Sequence, residues 1–247
     1  MSQTIDRPPP RQSPAFVTTH WSVVLAASSA DTPDSREAWE KFARTYWPPV
    51  YGFIRRSSHG PEDAQDLTQD FFFKLIDRKV LEGVSPGQGR FRSFLLVCLK
   101  HFLTDQHRRS QAACRRPKNG WLHLAAAETE AAYRAEQVEF ATPEASFERQ
   151  WAAALLDQAM AGLEEYYAGQ GKGAMFDQLA VHLVGNPSAV PHAELAVRLK
   201  TSEGAIKNEM YRLRQRFRSL FREQVAATVP SEEVEEEMRY VLRVLSQ

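Results

Sequence analysis

Cysteine is scarce in this chain: Cys98 and Cys114 are the only two among 247 residues. Two thiols, one of them inside an apolar run, cannot build a disulfide framework or a cysteine-rich zinc site, and they suit a reducing cytoplasm. Long apolar runs are missing as well. No stretch approaches the roughly 18 residues that a membrane span needs, and the opening MSQTIDRPPPRQSPAF lacks the apolar segment of a secretory signal. The expectation is a soluble cytoplasmic protein with no membrane partner. Two-residue apolar alternation and solenoid-type repeats are also absent, which excludes a sheet-based or repeat architecture. Net charge is nil, with 31 Lys and Arg against 31 Asp and Glu, and that sum alone argues against a nucleic-acid partner.

The distribution of charge reverses that argument. Arg90, Arg92, Lys100, Arg108, Arg109, Arg115, Arg116 and Lys118 face a single acid, Asp105, in the same stretch. From Arg198 to Arg222 another dense basic run faces only Glu203 and Glu209, and each basic stretch is followed by an acidic one. Two basic patches separated by an acidic connector suit nucleic acid better than the total does.

Apolar spacings of three and four predict helices near 21–28, 36–56, 61–77, 92–108, 146–167, 173–184, 191–199, 202–226 and 231–245. The fold class is therefore all-α. Breaks are expected at Pro48-Pro49, Gly60-Pro61, 85–89, 117–120, 169–173 and 185–191. Large apolar residues thin out in 119–145, which divides the chain into two small helical domains joined by an acidic linker. The resulting layout is a proline-rich disordered arm at 1–18, a first domain at 19–118, the linker at 119–145, a second domain at 146–228 and an amphipathic tail helix at 229–247.

In PEDAQDLTQDFFFKLI, Gly60-Pro61 followed by two acids is a favourable helix start. Ala64, Leu67, Phe71 and Leu75 share one face, and Glu62, Asp66, Gln69, Asp70 and Phe73 the opposite one. A phenylalanine among carboxylates fits a docking surface for a basic partner helix, or a solvated acidic face with Phe73 tucked into a neighbour. Asp63, Asp66 and Asp70 as a metal-dependent nuclease centre would need a completing ligand cluster that the sequence does not supply, so no metal, cofactor or catalytic residue is expected.

HAELAVRLKTSEGAIKNEMYRLRQRF has the pattern of a helix-turn-helix. Leu195, Ala196 and Leu199 point inward on a short helix, Ser202 can cap the next, and Ile206, Met210, Leu213 and Phe217 continue the inward stripe. The outward face carries Gly204, Asn208, Tyr211, Arg212 and Gln215, flanked by Lys207, Arg214 and Arg218. Asn, Gln and Arg can pair with base edges while the flanking cations neutralise phosphates. Lys200 stands where glycine would ease the turn, at a cost of roughly 1 kcal/mol if the lysine is left-handed. Glu209 is placed to pair with Arg212.

Five segments, THWSVVLAA, AWEKFARTYWPPVYGFIRR, PEDAQDLTQDFFFKLI, GRFRSFLLVCLKHFLTDQHRR and AELAVRLKTSEGAIKNEMYRLRQRFRSLFREQV, resemble in order and spacing bacterial RNA polymerase sigma factors of the extracytoplasmic-function class, in the variant abundant in planctomycetes. The resemblance implies a non-enzymatic factor that directs core RNA polymerase to promoters. It implies that Asp63, Asp66, Gln69 and Asp70, with Glu62 and Phe73 beside them, dock on the clamp helices of the beta-prime subunit. The helix at 93–109 would meet the minus-ten element and assist melting, making Arg90, Arg92, Lys100, His101, Thr104, Asp105, His107, Arg108 and Arg109 candidates there. The helix at 202–218 would read the minus-thirty-five element beside the beta flap, with Ser202 and the outward face just named. Promoter DNA, and in some members an anti-sigma protein, are the further partners, and nucleoid association follows from them. A stand-alone helix-turn-helix regulator that never meets polymerase is the competing expectation.

The tail SEEVEEEMRYVLRVL offers Ser231 as an N-cap and Val234, Met238, Val241, Leu242 and Leu245 as one stripe. It is expected to fold back on a domain, and to be autoinhibitory if it covers the recognition helix.

Overall fold

The computed structural model describes residues 33–57, 59–77, 90–111, 142–183 and 190–246. The arm at 1–18, the predicted helix at 21–28 and nearly all of the 119–145 linker lie outside them. Every regular element among the described residues is helical: α1 (Pro33–Arg56), α2 (Pro61–Asp77), α3 (Phe91–Gln111), α4 (Pro143–Gly169), α5 (Gly173–Ala180), α6 (His192–Arg198), α7 (Glu203–Ala226), a 3-10 turn (Ser231–Glu233) and α8 (Val234–Leu245). None of these helices is long and apolar enough to cross a membrane.

Pro48-Pro49 does not break α1, in contrast to the expectation from the dipeptide alone. Proline removes two helical N–H donors, yet the flanking Tyr46, Trp47, Val50, Tyr51 and Ile54 are all buried in one cluster. Burial of such side chains, about 1.5–3 kcal/mol each, holds the turn through the prolines.

Two apolar clusters organise the molecule. The first joins α1, α2 and α3 to the first half of α4, the second half of α7, and α8. It thus takes residues from both sides of the 119–145 segment. Phe42, Tyr46, Phe72 and Phe91 meet edge-on or tilted at its centre, and Trp47 stacks on Phe72 with ring centroids 5.6 Å apart. The second cluster joins the end of α4 (Leu163, Tyr167) to α5 (Phe176, Leu179), α6 (Leu195, Ala196) and the start of α7 (Ile206, Met210, Leu213). Phe217 and Leu220 of α7 pack against both.

The helix ends follow local chemistry. Thr142 has extended backbone and its hydroxyl accepts the Ala145 amide at 3.2 Å, with Pro143 in the first turn. At the end of α4, Lys172 N–H donates to Tyr167 O and Gly171 N–H to Ala168 O, both at 2.9 Å, with Gly171 at φ 69°. This paired pattern is the Schellman ending, which needs a left-handed residue.

Candidate nucleic-acid and partner interfaces

The corner between α6 and α7 is built by two caps. After α6, Thr201 N–H donates to Ala196 O at 2.9 Å and Lys200 N–H to Val197 O at 3.2 Å. The same ending that Gly171 provides for α4 is here made by Lys200, at φ 51°. The lysine is therefore left-handed, and the turn keeps the geometry that glycine would give it. Ser202 then caps α7, its hydroxyl accepting the Ala205 amide at 3.2 Å.

With α7 anchored by Ile206, Met210 and Leu213, its other face is open. Gly204, Lys207, Asn208, Tyr211, Arg212, Arg214, Gln215 and Arg218 are all exposed, Tyr211 at 65%. Lys207 pairs with Glu203 at 2.7 Å, and Glu209 is shared between Lys172 at 3.2 Å and Arg212 at 3.5 Å. Pairs as exposed as Lys207–Glu203 are screened and weak, so they do not withdraw these cations from a phosphate backbone.

On α2, Ala64, Phe71, Phe72 and Leu75 are buried, and Thr68 is buried with its hydroxyl donating to Ala64 O at 2.6 Å. Glu62, Asp63, Asp66 and Asp70 are exposed and Gln69 is half-buried on the outer side. Phe73 is 60% exposed, so it stands among these acids instead of tucking into a neighbour. Gln106 of α3 donates to Asp70 at 3.3 Å, and the Lys74 ammonium lies 4.3 Å from the Phe102 ring centre, which together brace α2 against α3. Among the described residues no group of His, Cys, Asp or Glu is arranged to hold a metal ion.

On α3, Leu95, Leu99 and Phe102 are buried, and Phe94, Cys98 and Leu103 half-buried, as the apolar phase requires. Burial pushes the Cys98 thiol up to about 11. The polar back presents Lys100, His101, Thr104, His107, Arg108 and Arg109 to solvent, with Asp105 half-buried. Lys100 meets Glu144 of α4 at 2.7 Å and holds that carboxyl below its usual range.

Arg90 and Arg92 point elsewhere. Arg92 is buried, donating to Glu237 at 2.7 Å and to Glu148 at 2.8 Å, with its guanidinium carbon 4.0 Å from the Tyr240 ring centre. Arg90 reaches Glu233 at 3.2 Å, Glu236 at 2.8 Å and Glu237 at 3.2 Å. Both expected DNA contacts are thus occupied by acids, chiefly those of the tail. The tail does fold back, but onto α4 and the second half of α7, where Arg222 meets Glu235 at 2.9 Å. The exposed polar and basic face at the start of α7 is left uncovered. Ser231 caps nothing: it opens the 3-10 turn and its hydroxyl donates to Glu232, while α8 starts from Glu233 without a side-chain cap. Leu242 is 55% exposed and drops out of the expected stripe, whereas Glu237, fully buried, joins it.

Three surfaces therefore stand on one frame: an acidic face with a projecting aromatic on α2, a polar and basic back on α3, and a capped helix, α7, with an exposed basic face. Residues 42–113 match the family model of sigma-70 region 2. No curated protein and no solved structure matches the chain.

Proposed function

We propose, from the premise that residues 42–113 carry a sigma-70 region 2 and so support a sigma-70 family factor of transcription initiation, that this chain is a promoter-reading sigma factor of the extracytoplasmic-function class, in its planctomycete-type variant. One observation carries the reading: the match to region 2 coexists with a separately capped helix-turn-helix whose basic face is exposed. A simple regulator has no use for the first, and a lone region 2 has no use for the second.

The factor performs no chemistry and lends specificity to a polymerase. Its acidic α2 face, with Glu62, Asp63, Asp66, Gln69, Asp70 and Phe73, docks on the clamp helices of beta-prime. Carboxylates steer a basic partner and the phenyl ring supplies the apolar anchor. The α7 helix enters the major groove of the minus-thirty-five element beside the beta flap. Asn208, Arg212 and Gln215 have the donors and acceptors to read base edges, while Lys207, Arg214 and Arg218 face phosphates. The back of α3 meets the minus-ten element, where Lys100, Arg108 and Arg109 neutralise phosphate as His101, Thr104 and His107 hold unstacked bases. Mounted on one polymerase, two weak DNA contacts act together. The setting is the cytoplasm, at the nucleoid.

The deciding experiment is transcription in vitro with bacterial core RNA polymerase and genomic DNA, mapping the transcript starts. Defined starts that require the protein are expected. Transcripts that begin at the same sites without it overturn the reading.

A further inference from the structure

A carboxylate with only 12% of its side chain exposed needs partners, and Glu209 finds them on both sides of α7. Its Oε1 accepts from the Lys172 ammonium at 3.2 Å, its Oε2 lies 3.5 Å from Nη1 of Arg212, and the Tyr167 phenol bonds it from the core side. Helical phase explains this placement. At about 3.6 residues per turn, Glu209 stands roughly 60° from the buried Ile206, and Arg212 roughly 60° further round toward the open face. Glu209 therefore links the core to the outer side of the helix.

Its anchors on the core side are fixed by the fold. Tyr167 is 2% exposed within the second apolar cluster, and burial first, then the charge of Glu209, pushes its phenol up to about 12. It stays a donor at neutral pH. Lys172 is set by the Schellman ending of α4, where its N–H donates to Tyr167 O at 2.9 Å, and it stands at the N-terminal end of α5.

Arg212 is differently placed, because 72% of its side chain is exposed. With Nη1 turned to Glu209, the other donors of the guanidinium fork remain open. An arginine already oriented loses less rotamer freedom when it is ordered on a partner, and the adjacent carboxylate makes a phosphate a poorer match for it than a base edge. Among base edges, guanine offers the O6 and N7 pair that an arginine fork takes bidentately.

We propose that Glu209 is a positioning residue for base reading: pinned by Lys172 and Tyr167, it holds the open edge of the Arg212 guanidinium outward, so that Arg212 selects guanine in the upstream promoter element. The corner between α4 and α5, which itself touches no base, thereby shapes sequence preference. The proposal rests on the reading of α7 as a promoter-reading helix.

Duplexes randomised across the upstream element are selected by the full chain with core polymerase. The parent is compared with Arg212→Ala, Glu209→Gln, Glu209→Ala and the double variant Arg212→Ala, Glu209→Gln, with thermal melting to identify folded species. Arg212→Ala should lower guanine preference at one base pair by about five-fold or more. Both Glu209 variants should lower it at the same base pair by about two- to ten-fold, and the double variant should lose no more than Arg212→Ala alone. Preferences at the other base pairs should hold. Removing a negative charge beside DNA would by itself strengthen binding to every sequence alike, and a damaged fold would weaken it alike. Neither flattens a single base pair. Folded Glu209 variants that keep the parental guanine preference overturn the proposal and leave the sigma-factor reading standing. If Glu209→Ala does not fold, Glu209→Gln decides. An Arg212→Ala variant with parental preference throughout takes Arg212 out of base reading and overturns the proposal. If the parent selects no sequence with core polymerase, the sigma-factor reading itself falls, and the proposal with it.

Discussion

The carboxamide of Gln150 lies so close over Gly52 that a β-carbon at position 52 would sit 2.3 Å from its oxygen. Gln150 is itself buried, so its carboxamide fills the space that a side chain at residue 52 would take. Gly52→Ala should destabilise the fold by about 1–3 kcal/mol through overpacking. Pairing it with Gln150→Ala should recover part of that loss, as expected of residues in contact. Urea midpoints of the two single variants and the double variant check this, and simple additivity would contradict the close approach.

Lys200 carries the left-handed turn between α6 and α7. Lys200→Gly relieves a steric cost of about 1 kcal/mol but loosens the unfolded chain by a few tenths or more. A net gain below about 1 kcal/mol is expected from chemical denaturation. Affinity for promoter fragments should change little, because Lys200 lies before the exposed α7 face proposed to read DNA.

Phe73→Ala alters an exposed position and should leave stability within about 0.5 kcal/mol of the parent, whereas Asp66→Arg with Asp70→Arg also gives up the exposed Gln106 bond and should cost about 1 kcal/mol. Affinity for core polymerase should fall ten-fold or more, while binding of the isolated protein to promoter fragments is retained. Undiminished polymerase capture by both variants would move the docking surface off α2. If the parent itself captures no polymerase, the stand-alone regulator reading takes its place.

Burial first, and the bond to Glu148 second, push the Tyr240 phenol up to about 12, and burial raises Tyr46 further. The fold therefore favours the neutral phenols relative to the unfolded chain, where the value is 10.0. Their contribution is fully present below pH 10 and is lost as pH rises from 10 toward and beyond 12. Absorbance titration should show late-titrating tyrosines among the seven, and Tyr240→Phe should remove one. A single transition near pH 10 for all of them would contradict it.

The two helices that carry the clearest expectations, α2 and α7, were legible because their apolar residues recur in phase while their polar faces keep one character. Ile206, Met210 and Leu213 are buried and Asn208, Arg212 and Gln215 exposed, as spacing requires. Arg90 and Arg92 stand as DNA candidates on charge and on the resemblance, and neither says which acid answers a cation. The signal for Arg92 was its phase: it stands three residues before Leu95 and seven before Leu99, on the buried stripe. Glu237 likewise stands three residues after Val234 and four before Val241, an acid on an apolar face inside what looks like a solvated run. A buried cation and a buried acid, each out of character with its stripe, are partners that a reading of one helix at a time does not join. Phe73 shows the opposite limit. Its position on the acidic face was clear from spacing, but its exposure depends on which neighbours pack beside α2.

The first apolar cluster draws α1 from one side of the 119–145 segment and α4 from the other, so the halves meet as the subunits of a heterodimer do, with the chain as their tether. Tethered partners see each other at an effective concentration on the order of millimolar, whatever the protein concentration. Dilution therefore does not part them. A partner that parts them competes with an equilibrium internal to one molecule, and its own concentration sets the outcome.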